Sequence, residues 1–503
     1  MNTWIKWWVL MVLVLVGISS SWAVTRYASP AGVSLSGRSM ETPGELRFMM
    51  SKLQPGDTLL LLDGQYDLEH TIVLNVKASP DKWVVICPVR GARPILDFRG
   101  QQNNQNGVKV SGAHILIKDI TIRYAGKKGI WLENASYCRL ENLDVYGCCD
   151  SGIQLRKGGH NLVMNCDSHD NFDYQAGGGN ADGFADKQGG DAFAGNTYIG
   201  CRAWNNSDDG WDSFQRETKD GVPTMYLFCV TYNNGPAEFD LTNHPRANGV
   251  DRELPCLAGK DLKHIPNGGN PNGFKLGGQG KDNKESGVYT RHHTRLMNRL
   301  AVGHRKKGFD QNNNAGKMKI VNCTSYKNNV NYGFGNPYPY TLDIYNCISL
   351  APTGGDGAKY HLATTSEGTV TQGNNTWNDG FSVSADDFES LDIEPLLLAP
   401  RNADGTLPVN SLLRLKNTAT GLINKGKVFT KADFGGEAIG DYVKHLGSAP
   451  DLGCYEYDES LSGIVDVESF TPHQTAPRYD LQGRRVDANY HGVVIQLGRK
   501  FIQ

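Results

Sequence analysis

The chain has 503 residues, longer than one ordinary domain, so it holds either two or three domains or a single repeat array. A hydrophobic share of 39% supplies a sizeable core, and a formal net charge of −2 argues against disorder and against a nucleic-acid partner. Glycine is the outlier, with 59 residues and no Gly-X-Y period, so the chain turns often. The N-terminus carries Lys6 followed by an apolar run to Ile18, then small residues around Ser21-Trp22-Ala23, which reads as a signal peptide over residues 1–23. The run is short for a membrane span and no later stretch is apolar enough, so the expected product is exported, without a membrane span.

After the leader, Gly44 to Leu53 has helical spacing at Leu46, Met49, Met50 and Leu53, and Pro55 to Tyr66 then turns into strand-like alternation. This predicts a capping helix ahead of a first coil. Beyond it short alternating segments recur. Asp119, Asn142 and Asn165 lie 23 residues apart, and Asn298, Asn322 and Asn346 lie 24 apart. Between them, the segments around Cys201 and Cys229 keep the same shape at a step of 28. A near-fixed period built from two-residue alternation predicts a solenoid of strands, each turn burying its inward side chains against its neighbours. The leucine-rich signature is missing, so the fold class is all-β, a right-handed single-stranded parallel β-helix.

The eleven cysteines include no CxxC pair, and Cys166, Cys201, Cys229, Cys323 and Cys347 fall at equivalent positions, which predicts a buried thiol stack in preference to disulfides. Asn205-Asn206, Asn233-Asn234 and Asn328-Asn329 are expected at turns. After about residue 350 the rhythm loosens, Gly355 to Gly380 reads as loop, and Pro450 to Glu456 closes the stretch. The expected organisation is a β-helix domain over 24–457 and a small strand-rich appendage over 458–503.

The densest polar constellation is Asp182, with Asp208, Asp209 and Asp212 about one coil later. Stacked turns would bring the four carboxylates together. Such a cluster repels itself without a cation, and an all-oxygen donor set suits Ca²⁺; the plain alternative is that Asp and Gly merely populate turns. Asp186 and Asp191 are reserve ligands. Lys275 sits in Asn272-Gly-Phe-Lys-Leu-Gly-Gly278, where glycines clear space around it; near a metal it becomes a usable general base, and otherwise it is a solvated strand lysine. The basic turn Arg305, Lys306 and Lys307 faces either an acidic sugar or solvent.

These stretches, together with Gly200 to Asp212 and Lys306 to Asn314, resemble the pectate lyases of polysaccharide lyase family 9 over roughly Arg26 to Glu456. The resemblance implies a β-helix of about ten coils, one Ca²⁺ ligated by Asp182, Asp208, Asp209 and Asp212, and Lys275 as catalytic base. It implies β-elimination of an acidic pectic polysaccharide, either polygalacturonate or the rhamnogalacturonan-I backbone, by a monomer. An alkaline optimum follows, because a lysine must lose its proton to act as the base. A long insert from His244 to Asn270 departs from the simpler pattern and is expected to overhang the groove. Two other readings remain open at this point. One is an inverting pectin hydrolase using the Asp208/Asp209 pair, although no Gly-His-Gly turn is present; the other is a non-catalytic pectin-binding surface protein. The last few dozen residues resemble the C-terminal tails of exported proteins.

Overall fold

The computed structural model describes residues 23–461, apart from 188–194, 215–220, 279–288, 337–339, 363–368, 394, 396–398 and 435–444, together with short strands between 478 and 502. The leader and Asp191 lie outside the described residues. Three long parallel sheets dominate, of twelve, ten and ten strands. Each coil gives one strand to a first sheet (Thr25–Ala28 through Thr369–Gly373), then one to a second (Gly64–Asp67 through Ile348–Leu350), then one to a third (Ile72–Lys77 through Tyr360–Leu362). This is a parallel β-helix. Among the described residues no helix is long and apolar enough to cross a membrane.

The repeat seen in the sequence has a stereochemical origin. Asp119, Asn142, Asn165, Asn298, Asn322 and Asn346 all adopt positive φ, between 51° and 59°, at the corner from the first sheet to the second. Asn and Asp tolerate this left-handed conformation better than other side chains do. Two of them also bond up the stack: Asn142 donates to Asp119 at 2.8 Å and Asn346 to Asn322 at 3.1 Å. At the next corner a second ladder is buried, with Asn171 donating to Asn206 at 2.8 Å and Asn206 to Asn234 at 2.9 Å. Asn205 and Asn233 hold the left-handed turns there, whereas at the third predicted pair the left-handed residue is Lys327, and Asn328 takes the ladder position.

The residue after each left-handed corner points inward. Cys166, Cys201, Cys229, Cys323 and Cys347 form the expected row, fully buried, and all eleven cysteines are free. The row is broken by Arg299, which follows Asn298 and is equally buried. None of its guanidinium nitrogens has a hydrogen-bond partner; it lies 3.6 Å from the centroid of the Phe274 ring. In the third sheet Phe184, Trp211, Phe274, Phe309 and Tyr332 stack inside the coil, with ring centroids 4.4, 5.0, 5.2 and 5.0 Å apart.

Both ends are covered. The helix Leu46–Ser51 is shorter than the predicted span; the Glu45 carboxylate caps it by accepting from the Arg47 and Phe48 amides, and Leu46, Met49 and Met50 join the core. At the other end Trp377 packs against Tyr332, with centroids 4.9 Å apart. Gly355 to Gly380, read as loop from the sequence, contains the last strands of two sheets, Tyr360–Leu362 and Thr369–Gly373. Their side chains are mostly exposed, so no apolar alternation marks them. Described residues between 381 and 423 then run back over the outside of the second sheet, packing Phe388, Leu412, Leu413, Leu415 and Leu422 onto Trp204, Val230, Leu300 and Ile348, while Phe429 and Phe434 pack against Leu227, Met297 and Val321 of the first. The short strands between Arg478 and Ile502 pair antiparallel.

Candidate active site

Register decides what faces out of the third sheet. Phe184 pairs with Trp211 and then with Phe274 and Phe309; one residue on, Ala185 pairs with Asp212, then Lys275, then Asp310. Side chains alternate along a strand, so burying the aromatic row turns Asp212, Lys275 and Asp310 outward in one column. Asp182 and Asp209 stand at the corner just before their strands, one coil apart, where Gly183 N donates to Asp209 O at 2.9 Å.

The acidic residues gather as the spacing predicts. Asp182, Asp209 and Asp212 each place a carboxylate oxygen within 4.8 Å of the others. Asp208 stands beside this trio rather than in it, its Oδ1 accepting from the Asn270 amide at 2.9 Å. Asp209 is oriented by Asn272, whose backbone N and Nδ2 both donate to Oδ1 at 2.8 Å. Asp182 accepts from Ser151 Oγ at 3.0 Å. Lys275 Nζ lies 2.9 Å from Asp209 Oδ2 and 3.4 Å from Asp212 Oδ1.

A second ammonium, which the sequence reading missed, completes the cluster. Lys187 Nζ is 2.9 Å from Asp212 Oδ2 and 3.2 Å from Asp182 Oδ2. Extending the alternation of Phe184-Ala185-Asp186 by one residue would have found it. The same alternation removes Asp186 from the reserve ligands: it is fully buried and accepts from Asn196 and Thr224, both at 3.0 Å, on the inward face.

Burial raises the Asp182 carboxyl to about 7, against the opposing pull of Lys187. It also lifts Asp209 well above the carboxylate range, against Lys275, and raises Asp208. At Asp212 burial is again the largest influence and acts upward, but Lys187 and Lys275 together hold the group below its ordinary value. Lys275 shows the converse. Burial, the largest single influence, would lower it, yet Asp209, Asp212, Asp208 and Asp182 together keep its proton on.

These residues fit a calcium ion. Oxygens no more than 4.8 Å apart can share an ion that takes ligands at about 2.4 Å. Asp212 Oδ1 is buried without a hydrogen-bond partner. With all four carboxylates ionised, as ligation of a cation requires, they would exceed the two ammonium groups of Lys187 and Lys275 by two negative charges, the charge of one divalent cation.

The basic turn divides. Arg305 spends its guanidinium on the insert, donating to Gly269 O at 2.8 Å and to Asn267 O at 3.2 Å. Lys307 Nζ pairs with Asp310 at 2.7 Å, and Lys306 is exposed. The insert shares a small core with neighbouring segments, its Leu257 and Ile265 clustering with Phe172, Tyr174, Phe239 and Leu241. Its Arg246, fully buried, donates to the carbonyls of Phe98 and Gln101 and pairs with Asp251. The insert is thus clamped along the corners between the second and third sheets, beside the site, and its last residues reach Asp208.

A family model described as Pel9A-like, right handed beta helix region, matches residues 26–346. Pectate lyase L of Dickeya dadantii is 31% identical over 446 residues, covering 86% of this chain and 90% of that protein. Pectate lyase L of Dickeya chrysanthemi is 32% identical over 444 residues, again covering 86% and 90%. The crystal structure of pectate lyase Pel9A superposes with a TM-score of 0.67 at 30% identity, covering 86% of this chain and 96% of that one. A rhamnogalacturonan lyase shares the fold at a TM-score of 0.64 and 20% identity, covering 79% of this chain and 97% of that one. With the right-handed coil and the register of its outward residues in place, the chain belongs to the Pel9A-like β-helix family of polysaccharide lyases.

Proposed function

We propose that the protein is an exported, calcium-dependent lyase that cleaves galacturonate-containing pectic chains by β-elimination, with polygalacturonate as the preferred backbone. The observation that carries this reading is Lys275 Nζ, outward on the third sheet, 2.9 Å from a carboxylate of the acidic cluster. Relatives called pectate lyase at 31% and 32% identity support the substrate class. The leader-like N-terminus supports export, with residues 24–457 as the lyase domain and 458–503 as an appendage.

Asp182, Asp208, Asp209 and Asp212 would hold the ion. When bound, it supplies Lewis-acid stabilisation of the charge that builds on the substrate carboxylate as the adjacent C5 proton leaves. Lys275 takes that proton at Nζ, the C4–O bond breaks with its electron pair going to the leaving oxygen, which takes a proton from water, and a 4,5-unsaturated unit remains at the new non-reducing end. To do so the lysine must be neutral. Once the carboxylates' charge is taken up by a ligated cation, burial is left as the dominant influence on Lys275 and acts to lower its pKa. Activity is therefore expected to rise with pH in calcium. Asn272 fixes Asp209, and through it the position of the base. Lys306 is free to meet a substrate carboxylate, whereas Arg305 serves the groove wall.

The test is Lys275→Ala assayed on polygalacturonate by ultraviolet absorbance of the unsaturated product. The rate should fall about 10²–10⁴-fold with an unchanged circular dichroism spectrum, and chelator should silence the wild type. Activity that survives EDTA without unsaturated product would assign a hydrolase; binding without any product would assign an adhesion protein.

A further inference from the structure

Lys187 is used by neither the proton transfer nor the ligand set, yet its ammonium pairs with two carboxylates of the site. It contacts the two carboxylates that come from successive coils, Asp182 and Asp212, at 3.2 and 2.9 Å, and its side chain is only 25% exposed. These two are in the group that converges on one point. Three carboxylates packed this closely in a buried corner repel one another, and without a positive charge between them they would splay or take up protons. The ammonium lies against carboxylate oxygens of two of the trio, Asp182 and Asp212, so it and a divalent ion draw on the same donors.

We propose that Lys187 is the built-in counter-ion of the metal-free site: it holds Asp182 and Asp212 in their ligating arrangement and must be displaced when a divalent cation binds. The lysine thus preorganises the ligands and also sets the affinity of the site, because every ion that binds competes with a tethered one. Its tether is short. Ala185 and Asp186 are held in the third sheet by pairing with neighbouring strands, so the ammonium is returned to the same place whenever the ion leaves.

This inference rests on the acidic cluster taking a divalent ion, and calcium calorimetry on chelator-stripped protein separates the two. Lys187→Met should bind calcium about tenfold more tightly than wild type, since a competing positive charge has gone. Lys187→Arg, which keeps the charge and grips carboxylates in a fork, should bind no more tightly than wild type. Stripped of metal, the methionine variant should melt below wild type, and the gap should close in calcium. A wild type that takes no calcium overturns both readings. A wild type that binds, with Lys187→Met binding equally or more weakly, overturns the lysine's role alone. So would tighter binding by both variants, which would trace the effect to loosened packing instead of charge. A methionine variant that folds only with calcium supports the counter-ion; one that folds in neither condition makes Lys187 a general fold-holding residue and overturns it.

Discussion

The outer faces of the second and third sheets are built from the same coils, yet they carry opposite chemistry. On the second sheet, outward positions in successive coils are Trp204, Val230 with Tyr232, Leu300 with Val302, Tyr326 and Leu350, buried beneath the returning arm. On the third, the outward column is Asp212, Lys275 and Asp310, with Lys187 beside it. The inner faces differ in size, with small residues such as Ala203, Thr231 and Ala301 under the second sheet and the aromatic row under the third, but both are fully buried. What differs is whether another part of the chain covers the face: a covered face loses its two-residue alternation, and strands 202–204, 230–232 and 300–302 are buried at every position. The third sheet's outer face instead packs charge against charge, Lys275 and Lys187 against the aspartates, and there the solenoid becomes a scaffold for chemistry.

That contrast can be broken from either side. The largest effect is expected from the open face: Asp209→Asn should cut lyase activity about 10²–10³-fold, because in the proposed reaction the residue would ligate the ion and its carboxylate contacts Lys275. Melting of the metal-free variant should change little, read by calorimetry. On the covered face the pattern should invert. Leu300→Ala, fully buried under the arm, should cost about 2–5 kcal/mol in denaturant unfolding and leave kcat unchanged. A fall in kcat there would show that the arm couples to the site.

A smaller, pH-dependent effect is expected where the arm is fastened. Arg401 of the arm pairs with Asp167 at 2.6 Å, and the neighbouring His169 stacks between Tyr146 and Trp204. Burial opposes its charge, but hydrogen bonds to Asp144 and Asp170 outweigh this and raise it to about 9. A histidine whose folded value is raised stabilises the fold fully below its unfolded value of about 6.5, and that contribution is lost as pH climbs through about 9. Wild type should thus lose about 2–3 kcal/mol across that window, and His169→Gln should lose less. The smallest effect sharpens the view of the shared interior. Arg299→Met should stabilise by about 1–2 kcal/mol, since it replaces an unpaired buried guanidinium with an apolar side chain in a row of thiols. A loss of stability would show that its stacking on Phe274 outweighs its desolvation.

Much of this was legible beforehand. The period could be read because the corner residues are under stereochemical constraint, so Asn and Asp recur where φ is positive. The thiol row followed from the same register. Asp182, Asp208, Asp209 and Asp212 stood out because a spacing of about one coil stacks their carboxylates, and Lys275 because glycines flank its short strand. The sequence reading did not find Lys187, Arg299 or the last strands after residue 355. In each case the deciding fact is a neighbour remote along the chain: Lys187 acquires meaning from Asp212 on the next coil, and Arg299 from the Phe274 ring.

The sequence by itself determined the coil, its repeat length and which residues point in or out, because alternation and turn stereochemistry act over a few bonds. Only the tertiary structure decided which outer face is sealed, where the insert is clamped and which ammonium meets which carboxylate. Those outcomes depend on segments hundreds of residues apart burying surface against one another, as Arg401 does with Asp167, and no local pattern encodes such a meeting.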